Sequence, residues 1–233
     1  MKKVLFLALI GIIMISCGGD SVNTMNVSGN IKGLKKGILY LQKTVDTTLV
    51  VIDSIIIKGD GNFSFKTELK SPEIFYLYLN KKDNNTINDR IIFFGEPGII
   101  TINTIWNTFE SSAKIEGSET NKKLEEYRNV MSKFNIKSLE HLRALSTPNI
   151  TSLELDSIQK LDASNTVSSY RYSLNYALFN KNSFIAPYIA LKEVPDANVI
   201  YLDSINKTLS KEVASSKYGR ELSAYVEQLK NNK

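Results

Sequence analysis

The chain carries one imidazole, His141, and one thiol, Cys17. One Cys forms no intramolecular disulfide, no CxxC redox pair and no thiolate zinc site. One His cannot build a two- or three-His metal centre. His141 would have to serve any Ser-His-Asp arrangement, but it lies in Leu139-Glu140-His141-Leu142, between leucines at helical spacing. That context fits a helix-surface histidine better than a base, and no G-x-S-x-G elbow is present to supply a nucleophile. Asp83-Asn84-Asn85-Thr86-Ile87-Asn88-Asp89 has the polarity of a calcium loop. It puts Ile87 where an oxygen ligand belongs, Asn88 in place of the turn glycine and Phe94 in place of the closing glutamate, so it reads as a solvated loop. Gly59-x-Gly61 opens no helix and no P-loop occurs, so phosphate cradling is not indicated. A carboxylate pair for glycoside chemistry needs two acids facing each other, and the spacing of the 24 acids selects none. Asp53, within Ile52-Asp53-Ser54, reads as an acid bonded to its own backbone or a nearby turn. The sequence therefore implies a non-enzymatic protein with no cofactor and no metal. In Glu73-Ile74-Phe75-Tyr76-Leu77-Tyr78-Leu79, strand alternation puts Phe75, Leu77 and Leu79 on one face and Ile74, Tyr76 and Tyr78 on the other. Tyr76 and Tyr78 form a candidate binding stripe for a peptide, protein or glycan. The competing reading packs that face under another element, with Tyr127, Tyr170, Tyr172, Tyr176 and Tyr188 as candidate partners.

Cys17 gains meaning from its place. Met1-Lys2-Lys3 is a short positive segment, and Val4 to Ile15 is an apolar run. The run is too short to span a bilayer, which needs about 20 apolar residues, but it suits the core of a signal peptide. It ends in Met14-Ile15-Ser16-Cys17-Gly18-Gly19, which resembles a bacterial lipobox, with Met14 and Ile15 in place of the commoner Leu and small residue. The resemblance implies cleavage after Ser16 and lipidation of Cys17. Residues 1–16 are then the signal peptide and 17–23 a tether to a bacterial membrane. The expected location is the cell envelope, on the periplasmic face or the cell surface, with the outer membrane favoured. Several acyl chains hold stably where one binds marginally. The net charge of +5 is mild, and Lys2 and Lys3 contribute two of its units. No nucleic-acid partner is suggested.

The elements that must position these residues divide into two kinds. Over residues 24–118 the chain shows short runs rich in β-branched residues, punctuated by turns: Val27 to Ile31, Ile38 to Lys43, Leu49 to Ile57, Phe63 and Phe65, Glu73 to Leu79, Ile91 to Phe94, Ile99 to Ile105, and a weaker run from Phe109 to Ile115. Gly59-Asp60-Gly61-Asn62 reads as a hairpin turn. Such a series predicts an antiparallel sandwich or barrel. From residue 119 the period becomes helical. Leu124, Tyr127, Met131 and Phe134 predict one helix, and Leu139, Leu142 and Leu145 a shorter one. Thr151-x-x-Glu154 is a capping box opening a long helix to Phe179. Helices follow over Ser183 to Val194, Ala197 to Leu209, and through Tyr218, Leu222, Tyr225 and Leu229. The predicted class is α+β, with an N-terminal antiparallel β-sandwich or barrel-like half (24–118) followed by an all-helical half (119–233) packed on or beside it.

One ordered set of motifs adds a resemblance. Val27-x-Gly29-x-Ile31-x-Gly33, Gly37-x-Leu39-Tyr40-Leu41, Ile52-Asp53-Ser54, Gly59-x-Gly61-x-Phe63-x-Phe65, Gly95-Glu96-Pro97-Gly98 and Ile115-x-Gly117-Ser118-x-x-Asn121 occur in that order. The series resembles the N-terminal domain of unknown function DUF4369 of Bacteroidota lipoproteins, which in many relatives precedes a thioredoxin-like domain. Ser216-Lys217-Tyr218-Gly219-Arg220-x-Leu222 is similar to the helix just before that second domain. The chain has no CxxC, so it reads as the accessory region without the redox engine, which needs an attacking thiolate. The expectation is a membrane-anchored binding or scaffolding module. The alternatives are an accessory partner of a separate thioredoxin-like protein and, less favoured, a carboxylate-dependent hydrolase.

Overall fold

The computed structural model of the chain describes residues 23–81 and 90–232. Cys17, residues 1–16, nearly all of the tether and the Asp83–Asp89 loop lie outside the described residues. The first half is a sandwich of two four-stranded sheets. Its strands are β1 (Thr24–Lys32), β2 (Lys36–Val45), β3 (Thr48–Lys58), β4 (Asn62–Glu68), β5 (Glu73–Asn80), β6 (Arg90–Gly95), β7 (Gly98–Ile105) and β8 (Lys114–Glu116). One sheet has the order β4-β1-β7-β8 and the other β3-β2-β5-β6. Alternation does what the sequence implies. Met25, Val27 and Ile31 on β1, Leu39 and Leu41 on β2, Phe63 and Phe65 on β4, and Phe75, Leu77 and Leu79 on β5 all point into one core. The rings of Phe75 and Phe93 stack there at 5.9 Å.

Three features differ from the sequence expectation. The sandwich is antiparallel-rich, but β1 and β7 pair in parallel, Met25 opposite Gly98 through to Lys32 opposite Ile105. The Gly59–Asn62 turn closes no hairpin ladder. It carries the chain from β3 in one sheet to β4 in the other. Both glycines take positive φ, and Asp60 accepts from the Asn62 amide, a bond that also lowers its pKa. In the Phe109–Ile115 run, only Lys114–Glu116 is strand. A short 3-10 turn at Trp106–Thr108 precedes it, and Thr104 Oγ1 donates to the Phe109 carbonyl at 2.6 Å.

β3 is an edge strand, and such an edge invites pairing. A register irregularity at Leu41/Gln42 of β2 breaks its flat ladder. Beside it Asp53 Oδ1 accepts the backbone N–H of Ser54 at 2.7 Å. A charged side chain at a bulge blunts an edge in this way, which gives Asp53 a structural role.

The second half is helical: α1 (Glu119–Leu145), α2 (Ser152–Phe179), α3 (Ile185–Lys192), α4 (Val199–Thr208), α5 (Lys211–Ser215) and α6 (Lys217–Asn231). The two helices expected before Pro148 are one continuous α1, because nothing between Phe134 and Leu139 breaks a helix. The Thr151–Glu154 capping box forms as expected. The short α5 had no periodic signal of its own. The start of α1 fastens the halves together. Ser118 Oγ caps Asn121 N and donates to the Phe94 carbonyl at 3.0 Å, while Asn121 Oδ1 accepts Phe94 N–H at 2.9 Å. The edge strand β6 is thereby covered, which explains the Gly117-Ser118-x-x-Asn121 motif.

Candidate functional site

Tyr76 and Tyr78 share one face of β5, as alternation requires, and the structure divides that face along its length. Cross-strand register sets three rows. Ile74 lies opposite Phe94 at one end, Gln42, Tyr76 and Ile92 form the middle row, and Tyr40, Tyr78 and Arg90 form the last. The helices cover the Ile74–Phe94 end. The Phe94 ring meets Tyr188 edge-on at 5.9 Å and Tyr218 at 6.0 Å. Of the five helical tyrosines considered as partners for this face, Tyr188 contacts Phe94. Tyr127, Tyr172 and Tyr176 instead stack on one another between α1 and α2, and Tyr170 donates to both oxygens of Asp196.

At the opposite end the sheet face is half open. The Tyr40 and Tyr78 rings are 5.9 Å apart and inclined by 21°. The Arg90 guanidinium lies 5.0 Å over Tyr78. Two polar atoms on this face, Arg90 Nε and Gln42 Oε1, are buried without a hydrogen-bond partner among the described residues. Buried polar atoms are seldom left unpaired. They lie in the two rows that hold Tyr76 and Tyr78.

The middle row opens onto a cleft of about 880 Å³ at the junction of sandwich and helices, with Tyr76, Ile74, Tyr188 and Tyr218 on its apolar side. Its wall is an ionic joint. The Glu73 carboxylate, 4% exposed, accepts from Lys43 Nζ at 2.8 Å and Lys217 Nζ at 2.5 Å. Lys217 Nζ also reaches the Thr44 carbonyl at 3.3 Å, and Lys217 N donates to Ser71 Oγ at 2.8 Å. Ile74 N donates to Tyr218 Oη at 3.1 Å. Burial pushes the phenols of Tyr218 and Tyr188 above the ordinary tyrosine range, so both remain neutral donors and acceptors at physiological pH. The Ser216-Lys217-Tyr218-Gly219 motif is thus the docking end of α6. Ser216 caps the helix, Lys217 and Tyr218 bind the sheet, and Gly219 sits where a Cβ would lie 2.1 Å from the Val213 carbonyl oxygen.

His141 is far in the fold from this face. Its Nδ1 lies 3.1 Å from Asp162 Oδ1 between the distal parts of α1 and α2, and Asp162 also accepts from Ser138 Oγ. These bonds hold the Asp162 pKa below its usual value. Among the described residues, no three His, Cys, Asp or Glu side chains converge as they would around a metal ion. No described helix is long and apolar enough to cross a membrane.

Tyr40, Arg90, Glu73, Lys43 and Lys217 had no site role in the sequence reading, although Tyr40 and Lys217 stand inside its ordered motifs. Tyr40 carried a usable signal, since it stands in a second alternating run. Pairing it with Tyr78 required the strand register, which sequence spacing does not supply. No curated protein matches the chain, and no solved structure does. A family does match, over the stretch from the second residue of β1 to Leu124 in α1. Residues 25–124, which hold the sandwich and the helix start that fastens its edge, match the domain of unknown function DUF4369.

Proposed function

We propose that the chain is a lipid-anchored, non-enzymatic binding module of the bacterial cell envelope, and that its ligand, a peptide or glycan, docks on the outer face of the β3-β2-β5-β6 sheet. The observation that supports this most directly is the Tyr40–Tyr78–Arg90 row. Stacked phenol rings with a guanidinium above them offer a flat apolar surface with polar tips. The cleft beside Tyr76 continues that surface toward the charged side chains of Lys192, Glu193 and Glu221.

The test is an array of peptides and glycans probed with the full chain and with Tyr78→Ala. Binding by the parent that weakens about tenfold or more in Tyr78→Ala is the expected result. Equal binding by both would remove the site, and turnover of a bound glycan would favour the hydrolase reading instead.

Anchoring has a separate test. Cys17→Ala should move the protein from the membrane to the soluble fraction and abolish acyl labelling. Unchanged membrane association, together with an unlabelled parent, would overturn it.

A further inference from the structure

Strand register gathers the start of the sandwich and several element ends at one end of the molecule. Thr24 lies opposite Glu68, Met25 opposite Gly98, and Glu73 opposite Gly95. β1 therefore begins where β4 and β6 end and where β5 and β7 begin. Asn23, Lys70, Pro72, Pro97, Phe184 and Glu212 line one recess there. The helical half shares this end. Thr120 Oγ1 at the start of α1 donates to Glu96 Oε2 at 2.6 Å, and Lys123 Nζ donates to Asn180 Oδ1 at 2.8 Å just past α2. Ser210 N, at the cap of α5, donates to the Lys181 carbonyl at 3.1 Å. Phe179, the last residue of α2, is 86% exposed, more than any other large apolar side chain among the described residues.

We infer that this end rests on the bilayer that holds the acyl chains of Cys17, with the Phe179 ring in the boundary between headgroups and acyl chains, a placement that rests on the lipid-anchored reading above. Asn23 is six residues beyond Cys17, a span of about 20 Å at most. β1, with nine residues, is about 30 Å long. The tether is shorter than the strand, so the sandwich cannot turn its far end to the membrane. A connection this short holds the end near lipid at an effective concentration on the order of millimolar, which keeps even a weak contact engaged. An uncovered aromatic ring gains by entering the boundary region. Lys70, Lys181 and Lys211 stand exposed there beside Glu68 and Glu212, so charges of both signs meet the headgroups and the contact does not need anionic lipid. Tyr78 is five residues along β5 from Glu73, about 16 Å back from this end. The Tyr40–Tyr78–Arg90 row is thus held off the membrane and open to a ligand.

The experiment uses the full acylated chain in phosphatidylcholine vesicles that carry a short-range quencher on the lipid headgroup. Acylated Cys17 offers no free thiol, so Asn182→Cys and Lys35→Cys each take a single fluorophore. Asn182 is exposed near Phe179, and Lys35 is exposed beyond the far end of β1. The label at 182 should be quenched at least ~3-fold more than the label at 35. Phe179→Ser should reduce that quenching by about half or more while the chain stays on the vesicles. Weak or equal quenching at the two positions, or a label at 182 indifferent to Phe179→Ser, would overturn the inference with anchoring intact. A chain that carries no acyl group and does not float with the vesicles would overturn the anchored reading, and this placement with it.

Discussion

Replacing Gly29 with Ala is expected to lower the unfolding free energy by about 3 kcal/mol or more. For a chain of this size that corresponds to a fall in Tm of roughly 6–12 °C. The reason is space rather than backbone conformation. A Cβ at Gly29 would lie 1.8 Å from the carbonyl oxygen of Ile102 and 2.6 Å from its carbon. Both atoms are backbone, so no side chain can rotate away. Gly29 sits in the middle of the parallel β1–β7 ladder, between the Ser28–Thr101 and Ile31–Thr104 pairs. Next to it Asn30 N donates to Asn103 Oδ1. Relieving the overlap means parting the two central strands of the first sheet, beneath which Val27, Ile31, Ile100 and Ile102 are all buried. Gly59 is the comparison. It has φ +109 but nothing within 4 Å of a built Cβ, so Gly59→Ala should cost about 1 kcal/mol, from the left-handed conformation alone. Urea and thermal unfolding of the two variants, followed by far-UV circular dichroism, provide the check. Gly29→Ala within 1 kcal/mol of the parent, or no worse than Gly59→Ala, would refute the close approach of β1 to β7.

The Gly29 case shows what the sequence can and cannot convey. The glycine was visible as part of Val27-x-Gly29-x-Ile31-x-Gly33, and the inward set Val27 and Ile31 follows from a period of two. Its reason was not visible, because the neighbour that excludes a Cβ is about 70 residues away and parallel. Short alternating runs joined by turns read as antiparallel by default. A parallel pair needs a long crossover, and here the whole second sheet supplies it. The helical half was legible wherever local chemistry decides, as in the Thr151–Glu154 capping box. The division at Phe134 was misread because a change of apolar spacing looks like a break when the partner helix is not in view. At the candidate site, the Tyr76–Tyr78 stripe came from parity alone. Which end is covered depends on Ser118, Asn121, Lys217 and Tyr218 arriving from later elements. Of these, Ser118 and Asn121, and Lys217 and Tyr218, stood inside recognisable motifs, but nothing in the motifs named Phe94, Glu73 and Ile74 as their targets.

The second large effect is expected at Glu73. Its carboxylate is the shared acceptor of Lys43 from β2 and Lys217 from α6, so Glu73→Ala leaves two ammonium groups facing each other without their counter-charge. Removing one partner of a fully buried pair costs about 3–5 kcal/mol. The two lysine side chains are 24% and 29% exposed and can turn toward water in the cleft, which reduces the expected loss to ~2–3 kcal/mol. Lys217→Ala should cost less, about 1 kcal/mol, because Lys43 continues to neutralise the carboxylate. This order, Glu73 above Lys217, follows from the acid being the more buried group. The loss should also be local. The Ile74 amide, which donates to Tyr218 Oη, should lose hydrogen-exchange protection as α6 loosens, while amides in the β1–β4 ladder keep theirs. Equal losses for the two variants, or uniform loss of protection across both sheets, would contradict a joint between halves. The same variant separates the two parts of the proposed binding face. The cleft beside Tyr76 is walled by Glu73, Lys217 and Tyr218 and should lose its shape. The Tyr40–Tyr78–Arg90 row lies beyond the middle row on the same strands and should keep its geometry. A ligand held mainly by the tyrosine row should therefore bind Glu73→Ala nearly as well as the parent, whereas one seated in the cleft should be lost with it.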